Sequence, residues 1–541
     1  MNSSWAPTHR SPRTRKVSYV SLRKIANPVI VALLTALCTL PLLAQHPLVT
    51  RAVDETARVT MRGNVHPLVT AANDLGAVDD GQSTGTMFLV LGRSVEQQAA
   101  FDAYVKSAAM PGTAQYRQWL TPEAIREKFG PAQSDIAAVT NWLEANSLKV
   151  ESVSAAGNIV RFSGTMYSLR SAFGTEIHRY QVGNAIHLAN SVEPSVPAAL
   201  APVVRGIVGL NDFRPQSQVV RGPRASRQGV SGSVAVSNGV NPELTVTNWT
   251  AWGPEHYDVF FLPAAGDAAI LYDSPNTAMN KAYSGTTWTG SGVTIGIAGD
   301  SNLSAQAIQD IANYRSLFLN ETFAQAKADP QLPKIVVDGS DPGTNGDELE
   351  ALVDVEQAMA FAPQANTTLY TAQWTDLQQG LFLAMERAVD DNAMSILNVS
   401  FGECEQDLGA VGNAFINELY EQAAAQGITV LVSSGDSGAA GCDTAAFSMN
   451  QMTQGATAGL AVNGLASTPW NVAVGGTDFD VLYNTDLSVT QPYIQVQSSL
   501  TTSNEDLGTP PYLATALGYI PEQPWDDSSA TFTTYAQNTP S

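Results

Sequence analysis

Glu350-Ala-Leu-Val-Asp354 and Ser433-Ser434-Gly435-Asp436-Ser437-Gly438 are the two segments of this chain whose residue types could do chemistry. Both hold carboxyl groups, and no histidine follows His256. A hydrolase needs a base beside its nucleophile, and histidine is the usual one. Any such base in this half of the chain is therefore a carboxylate, useful only in an acidic medium or with a raised pKa. Glu350 and Asp354 stand four apart, so on a helix they leave from one face; Asp347, seven before Asp354, shares it. The ordinary explanation of such a trio is a solvated acidic face. Its flanks point elsewhere: Leu349, Leu352, Val353 and Val355, then Ala358-Met-Ala-Phe-Ala362, make the helix apolar. Carboxylates in an apolar helix need partners or a shared proton. Asp436, between Gly435 and Ser437-Gly438, has the context of a turn residue bonding its own backbone. Protonated, the same carboxyl could instead donate a hydrogen bond to an oxyanion.

Groups of this kind need a rigid frame, and from about residue 290 the sequence alternates strand and helix patterns. Strands are expected at 293–298, 334–338, 368–371, 395–400 and 428–433, with helices at 304–318, 347–362, 376–390 and 412–426. Short, continuous apolar strands between helices predict an α/β fold, a mostly parallel sheet with helices on both faces. In such sheets functional groups collect beyond the C-terminal strand ends, where Ser400-Phe401-Gly402 and Ser434-Gly435-Asp436 both fall.

The remaining chain divides by composition. Residues 1–44 read as a secretory signal: six Lys or Arg without an acid in the first 50 residues, then the apolar run 29–43, with cleavage after Ala44. A membrane anchor is the alternative for that run. Residues 45–215 carry 14 basic and 15 acidic residues and read as an α+β module. It has a strand near 86–91, helices at 95–109, from Pro122 behind the cap Thr121, at 134–147 and at 166–173, and strands at 150–153, 159–163 and 177–181. Residues 216–255, with Arg221, Arg224 and Arg227 among Gly and Ser, read as an exposed linker where a protease would cut. Residues 216–541 hold 8 basic against 35 acidic residues, within a whole-chain charge of −22. That surface repels nucleic acid and anionic membranes. It also suits acid, where protonation lowers the charge instead of building repulsion. With Cys38 in the signal, Cys404 and Cys442 remain. In an exported protein they are expected to close a disulfide loop worth ~3–4 kcal/mol, two buried thiols being the alternative.

At this point the residues resemble a family, the sedolisins: serine-carboxyl peptidases with a subtilisin-like fold, made as precursors with an activation domain of the prokumamolisin kind. Leu120 through Pro131, Phe162-Ser-Gly164, Ala172 through His178 and Val208 through Phe213 resemble that activation domain. Glu350 through Glu356, Ser400-Phe-Gly402, Ser433 through Gly438, Val474-Gly-Gly-Thr477 and Pro521-Glu-Gln-Pro-Trp525 resemble the catalytic domain. The resemblance implies a subtilisin-like domain over 256–541, a propeptide over 45–215 that blocks the cleft until acid releases it, and a secreted, monomeric acid endopeptidase. It implies Glu350 as general base, Asp354 as the group that polarises it, Asp436 as the oxyanion acid, and Ser400, Phe401 and Gly402 as the edge that takes a protein or peptide substrate as an added strand. Neither nucleic acid nor, after signal removal, a membrane is an expected partner.

The sequence departs from the family pattern in one place. The family's nucleophile lies in Gly-Thr-Ser-X-X-X-Pro, and in the acidic half each Gly-Thr is followed by Thr287, Asn345, Asp478 or Pro510. The family's calcium ligands, which come after that serine, have no counterpart either. A catalytic domain lacking its C-terminal part is therefore expected, with no hydrolysis by these 541 residues alone. The alternative is a secreted, non-enzymatic protein that keeps the peptide groove.

Overall fold

The structure is a computed structural model. It describes residues 45–217, 289–318, 332–435, 438–442, 458–478 and 521, together with the backbone strands 244–249, 258–263, 494–496, 511–516 and 523–524. The expected signal, residues 1–44, lies outside the described residues.

The first half of the described chain is built on a four-stranded antiparallel sheet of β1 (Met87–Leu91), β2 (Lys149–Val153), β3 (Ile159–Ser163) and β4 (Val204–Val208), in the order β2-β3-β1-β4. Helices α1 (Val95–Ala109), α2 (Pro122–Phe129), α3 (Gln133–Ala145) and α4 (Met166–Phe173) accompany it. Local chemistry sets several of their ends. Ser94 caps α1 in a reciprocal box with Gln97, Thr121 caps α2 ahead of Pro122, and Thr165 caps α4. A second antiparallel sheet joins Asp74–Ala77, Ile177–Val182 and Ala185–Asn190.

All five residues of β1 are buried, because both of its faces are covered. Met87, Leu89 and Leu91 pack with Val139, Trp142 and Phe173 of the module's own helices. Phe88 and Val90 point the other way, into a core shared with the second half of the chain, where Phe88 lies 5.3 Å from Phe415. This explains a continuous apolar run in an antiparallel strand, where alternation is usual. Close approach is part of the same contact: a Cβ on Gly206 of β4 would collide with the side chain of Val411.

The second half is the expected parallel α/β body. Strands β5 (Thr294–Gly299), β6 (Lys334–Val337), β7 (Asn366–Thr371), β8 (Ile396–Val399), β9 (Thr429–Ser433) and β10 (Asn471–Val474) run parallel in the order β6-β7-β5-β8-β9-β10. Helices α5 (Ala305–Phe318) and α6 (Glu348–Phe361) bring Ile311, Ala351, Val355 and Met359 against Ile297 and Leu369. Helices α7 (Gly380–Asp391) and α8 (Glu405–Gln426) bring Leu381, Met385, Phe415 and Leu419 against Ala298, Leu397, Val399 and Val432. The two helix sets thus pack on different side chains of one sheet, and the α7–α8 layer is also what receives β1.

Three segments differ from the sequence expectation. Helix α7 begins at Gly380 instead of 376, because Gln378 accepts from the Thr86 amide and Gln379 donates to the carbonyls of Asn211 and Phe213. Helix α8 begins at Glu405, and Gly409 (φ 64°, ψ 178°) breaks it in a conformation that favours glycine. The span 216–255 is not linker throughout: Gln216–Ser217 pairs with Phe401–Gly402, and Leu244–Trp249 joins a four-stranded antiparallel sheet with 258–263, 494–496 and 511–516. The alternating β-branched run Leu-Thr-Val-Thr accounts for that strand, and the arginines between lie outside the described residues.

Candidate functional site

Helix α6 carries Glu350 in its first turn and Asp354 one turn later. Asp354 meets the segment just past β8, and Glu350 meets Ser217. The Ser400 hydroxyl, just past β8, donates to Asp354 Oδ1 at 2.8 Å, and Asn398 Nδ2 donates to Ser400 Oγ at 3.1 Å. Burial pushes the Asp354 carboxyl up to about 7, against the opposing pull of the Ser400 and Asn398 side chains. A carboxyl in that state can hold a proton in mildly acidic solution and exchange it with a neighbour.

Glu350, 7% exposed, is met by the chain itself: Ser217 Oγ donates to Glu350 Oε2 at 2.7 Å. The same segment adds an antiparallel strand to the body, Gln216 opposite Gly402 and Ser217 opposite Phe401. Phe401 and Gly402 thus present a sheet edge to the chain's own strand, while Ser400 contributes its hydroxyl to Asp354. The approach to this strand is anchored upstream. Gln379 Nε2 donates to the carbonyls of Asn211 (3.0 Å) and Phe213 (3.3 Å). The Phe213 ring is stacked between His66 and His187, with centroids 3.7 and 4.2 Å away.

The sequence reading missed Asp300 and Trp374. Asp300 follows β5 directly and is 1% exposed; Trp374 Nε1 donates to its Oδ2 at 2.6 Å, while Asp300 Oδ1 has no hydrogen-bond partner among the described residues. Burial and the nearby Asp347 raise its carboxyl to about 6, opposed by the Trp374 hydrogen bond and the charge of Arg214. Its place beyond the C-terminal end of the central strand was the available signal. Asp347 itself stands at the N-cap of α6.

Asp436 lies outside the described residues. Its neighbour Gly435 has φ 96°, and the Ser434 amide donates to the carbonyl of Val474. Cys404 and Cys442 are joined as a disulfide, Cα atoms 4.8 Å apart. With Asp407 they are the one cluster of three potential metal ligands among the described residues. Two sulfurs and one carboxylate do not suit calcium, which takes six to eight oxygens, so the described residues offer no calcium cage.

Comparison with known proteins places these features in context. The model of the pro-kumamolisin activation domain matches residues 70–213. Tripeptidyl-peptidase 1 of Canis lupus familiaris is 27% identical over 420 residues, 75% of this chain and 63% of that protein. Sedolisin of Pseudomonas sp. (strain 101) is 27% identical over 409 residues, 74% and 60% respectively. Kumamolisin of Bacillus sp. (strain MN-32) is 28% identical over 415 residues, 74% and 64%. The chain therefore spans roughly three fifths of the length of the curated relatives it matches. Among the described residues no helix is long and apolar enough to cross a membrane. With a match to that activation domain ahead of a parallel α/β body, the chain is similar to sedolisin-like peptidase precursors.

Proposed function

We propose that this chain is the precursor of a secreted, acid-acting serine-type endopeptidase with a subtilisin-like catalytic body. Residues 45–215 serve as its intramolecular inhibitor, and residues 1–44 direct export. The observation that carries the reading is the strand Gln216–Ser217: it lies on the Phe401–Gly402 edge and places a serine hydroxyl on Glu350. A carboxylate that accepts a hydroxyl proton in a groove fitted for an extended chain has the geometry of a general base. In this reading Glu350 takes the proton of the nucleophilic serine and later returns it to the leaving amine. Asp354, able to exchange a proton near pH 7, holds Glu350 in its reactive state. Asp436, protonated, donates to the oxyanion. The disulfide Cys404–Cys442 fixes the loop beyond Phe401–Gly402. Calcium is part of the proposal only through the family, since no described cluster fits it.

The nucleophile's segment, Gly-Thr-Ser-X-X-X-Pro, is not among the 541 residues. The second reading, a peptide-binding protein that does not cut, rests on that fact. One experiment separates the two. The protein encoded by the complete genomic reading frame is assayed on denatured protein at pH 4, beside the 541-residue chain and a Glu350→Gln variant. The complete product should hydrolyse, the 541-residue chain should not, and Glu350→Gln should cost at least ~100-fold in kcat. A complete frame without Gly-Thr-Ser, whose product binds peptides and leaves them intact, would establish the second reading instead.

A further inference from the structure

Arg214 lies three residues before Ser217, and its guanidinium sits over the indole of Trp374, 5.2 Å from the ring centroid. The indole is held at its edge by its Nε1–H bond to the buried Asp300. We propose that Trp374 and Asp300 form a substrate subsite selective for a basic side chain, placed for the residue three before the one that meets Glu350, and that Arg214 fills it in this chain. The proposal rests on the reading of the Phe401–Gly402 edge as the substrate groove.

The chemistry is that of an aromatic cation site whose ring is fixed at its edge by a carboxyl group. The face of an indole attracts a guanidinium, most strongly when the ring orientation is fixed and the charge partly desolvated. Asp300 fixes the ring through Oδ2. Its other oxygen is buried and without a hydrogen-bond partner among the described residues, and when ionised the carboxylate puts negative charge at the ring edge. The charge of Arg214 acts on Asp300 in the corresponding sense, opposing the rise that burial and Asp347 impose. Apart from the Ser217 hydroxyl on Glu350, the neighbouring contacts to the body do not read sequence. Gln379 holds the carbonyls of Asn211 and Phe213, and Gln216–Ser217 pairs through its backbone with Phe401–Gly402. Discrimination along this stretch therefore falls to side chains, and 214 is the position where a charged one meets a built partner. A bland alternative exists, in which the aliphatic stem of Arg214 merely covers the indole; it predicts that methionine serves as well as arginine.

The chain's own strand is the probe, so the test needs no added ligand. Amide hydrogen exchange is followed in the full chain for the fragments holding 216–217 and 401–402, with position 214 as Arg, Lys or Met. Each is measured alone and with Asp300→Asn. Exposed Arg214 can be replaced without disturbing the core. Arg214→Met should speed exchange of both fragments about threefold and Arg214→Lys about twofold, the difference an exposed cation–π contact makes. In the Asp300→Asn background the Arg-to-Met difference should fall below about twofold. Equal protection in all three proteins overturns the subsite and leaves the groove standing. A difference that survives Asp300→Asn undiminished overturns the part assigned to Asp300. Fragments unprotected even with Arg214 show that the groove reading itself fails, and the subsite with it.

Discussion

Stability of this chain should rise, not fall, as the solution is taken from pH 8 to pH 5. Burial raises Asp390, Glu403, Asp407 and Glu418, and it pushes four further carboxyls up from their usual range: Asp300 to about 6, Asp354 to about 7, Glu386 to about 7 and Glu421 to about 8. In the unfolded chain these groups titrate near 4. Folding therefore takes up protons between about pH 4 and 8, and the stability each group contributes is fully present below 4 and lost as the pH climbs through its folded value. Each proton taken up adds ~1.4 kcal/mol per pH unit. Counting the four groups at half strength, because they are buried among other charges, the gain from pH 8 to 5 is on the order of 5 kcal/mol. His66 works against them. It is buried, its Nδ1 accepts from the Leu68 amide, and burial with the nearby His187 holds it down to about 4. A lowered base costs stability as the pH falls from 6.5 towards 4, ~2 kcal/mol of it by pH 5. Urea unfolding at a series of pH values checks the balance; a maximum at pH 7–8 would refute it.

The same signs bear on how an activation domain could leave. Glu386 and Glu421 lie where residues 45–217 meet the body: Glu386 pairs with Arg161, and Glu421 accepts from Gln98. Protonation of either favours the docked state, since an undocked, solvated carboxyl would hold its proton less tightly. His66, which with His187 stacks on Phe213 just before the strand on Glu350, has the opposite sign. If acid releases the groove, His66 is a group in this region that pushes that way.

Much of the frame was legible because it is locally determined. The ends of α1 and α4 fall where their caps Ser94 and Thr165 put them, and the body strands follow short apolar runs that parallel sheets require. Glu350 and Asp354 were legible from helical spacing combined with apolar flanks. What escaped was long-range. Nothing near Asp300 in sequence announces Trp374, 74 residues on, and nothing near Glu350 announces Ser217, 133 residues before it. The start of α7 escaped for the same reason, since Gln378 and Gln379 answer to residues some 290 and 168 positions away.

Replacing Arg161 by methionine should be the most damaging single change between the two halves, and its cost should depend on pH. Arg161 of β3 reaches across to Asp338 at 2.6 Å and to Glu386, which also faces Asp390; Arg387 is the other cation nearby, 4.0 Å from Asp338. The Glu386 side chain is 3% exposed, and the Arg161 ring of contacts includes Phe88 at 5.9 Å. One guanidinium thus serves several acids in a nearly dry site, where burial still outweighs it and keeps Glu386 raised. Removing one partner of a buried pair costs ~3–5 kcal/mol, most of it the unpaired charge left behind. At pH 8, with Glu386 ionised, Arg161→Met should show that full loss in unfolding experiments. At pH 5 Glu386 is protonated, and the loss should fall to ~1–2 kcal/mol, the remainder coming from Asp338 and lost packing. The double variant Arg161→Met, Glu386→Gln should recover most of the deficit at pH 8, because a neutral amide in place of the orphaned carboxylate removes the charge that made the single change so costly. A deficit that is the same at pH 5 and 8, or that Glu386→Gln does not relieve, would mean that Arg161 acts through shape and not through charge.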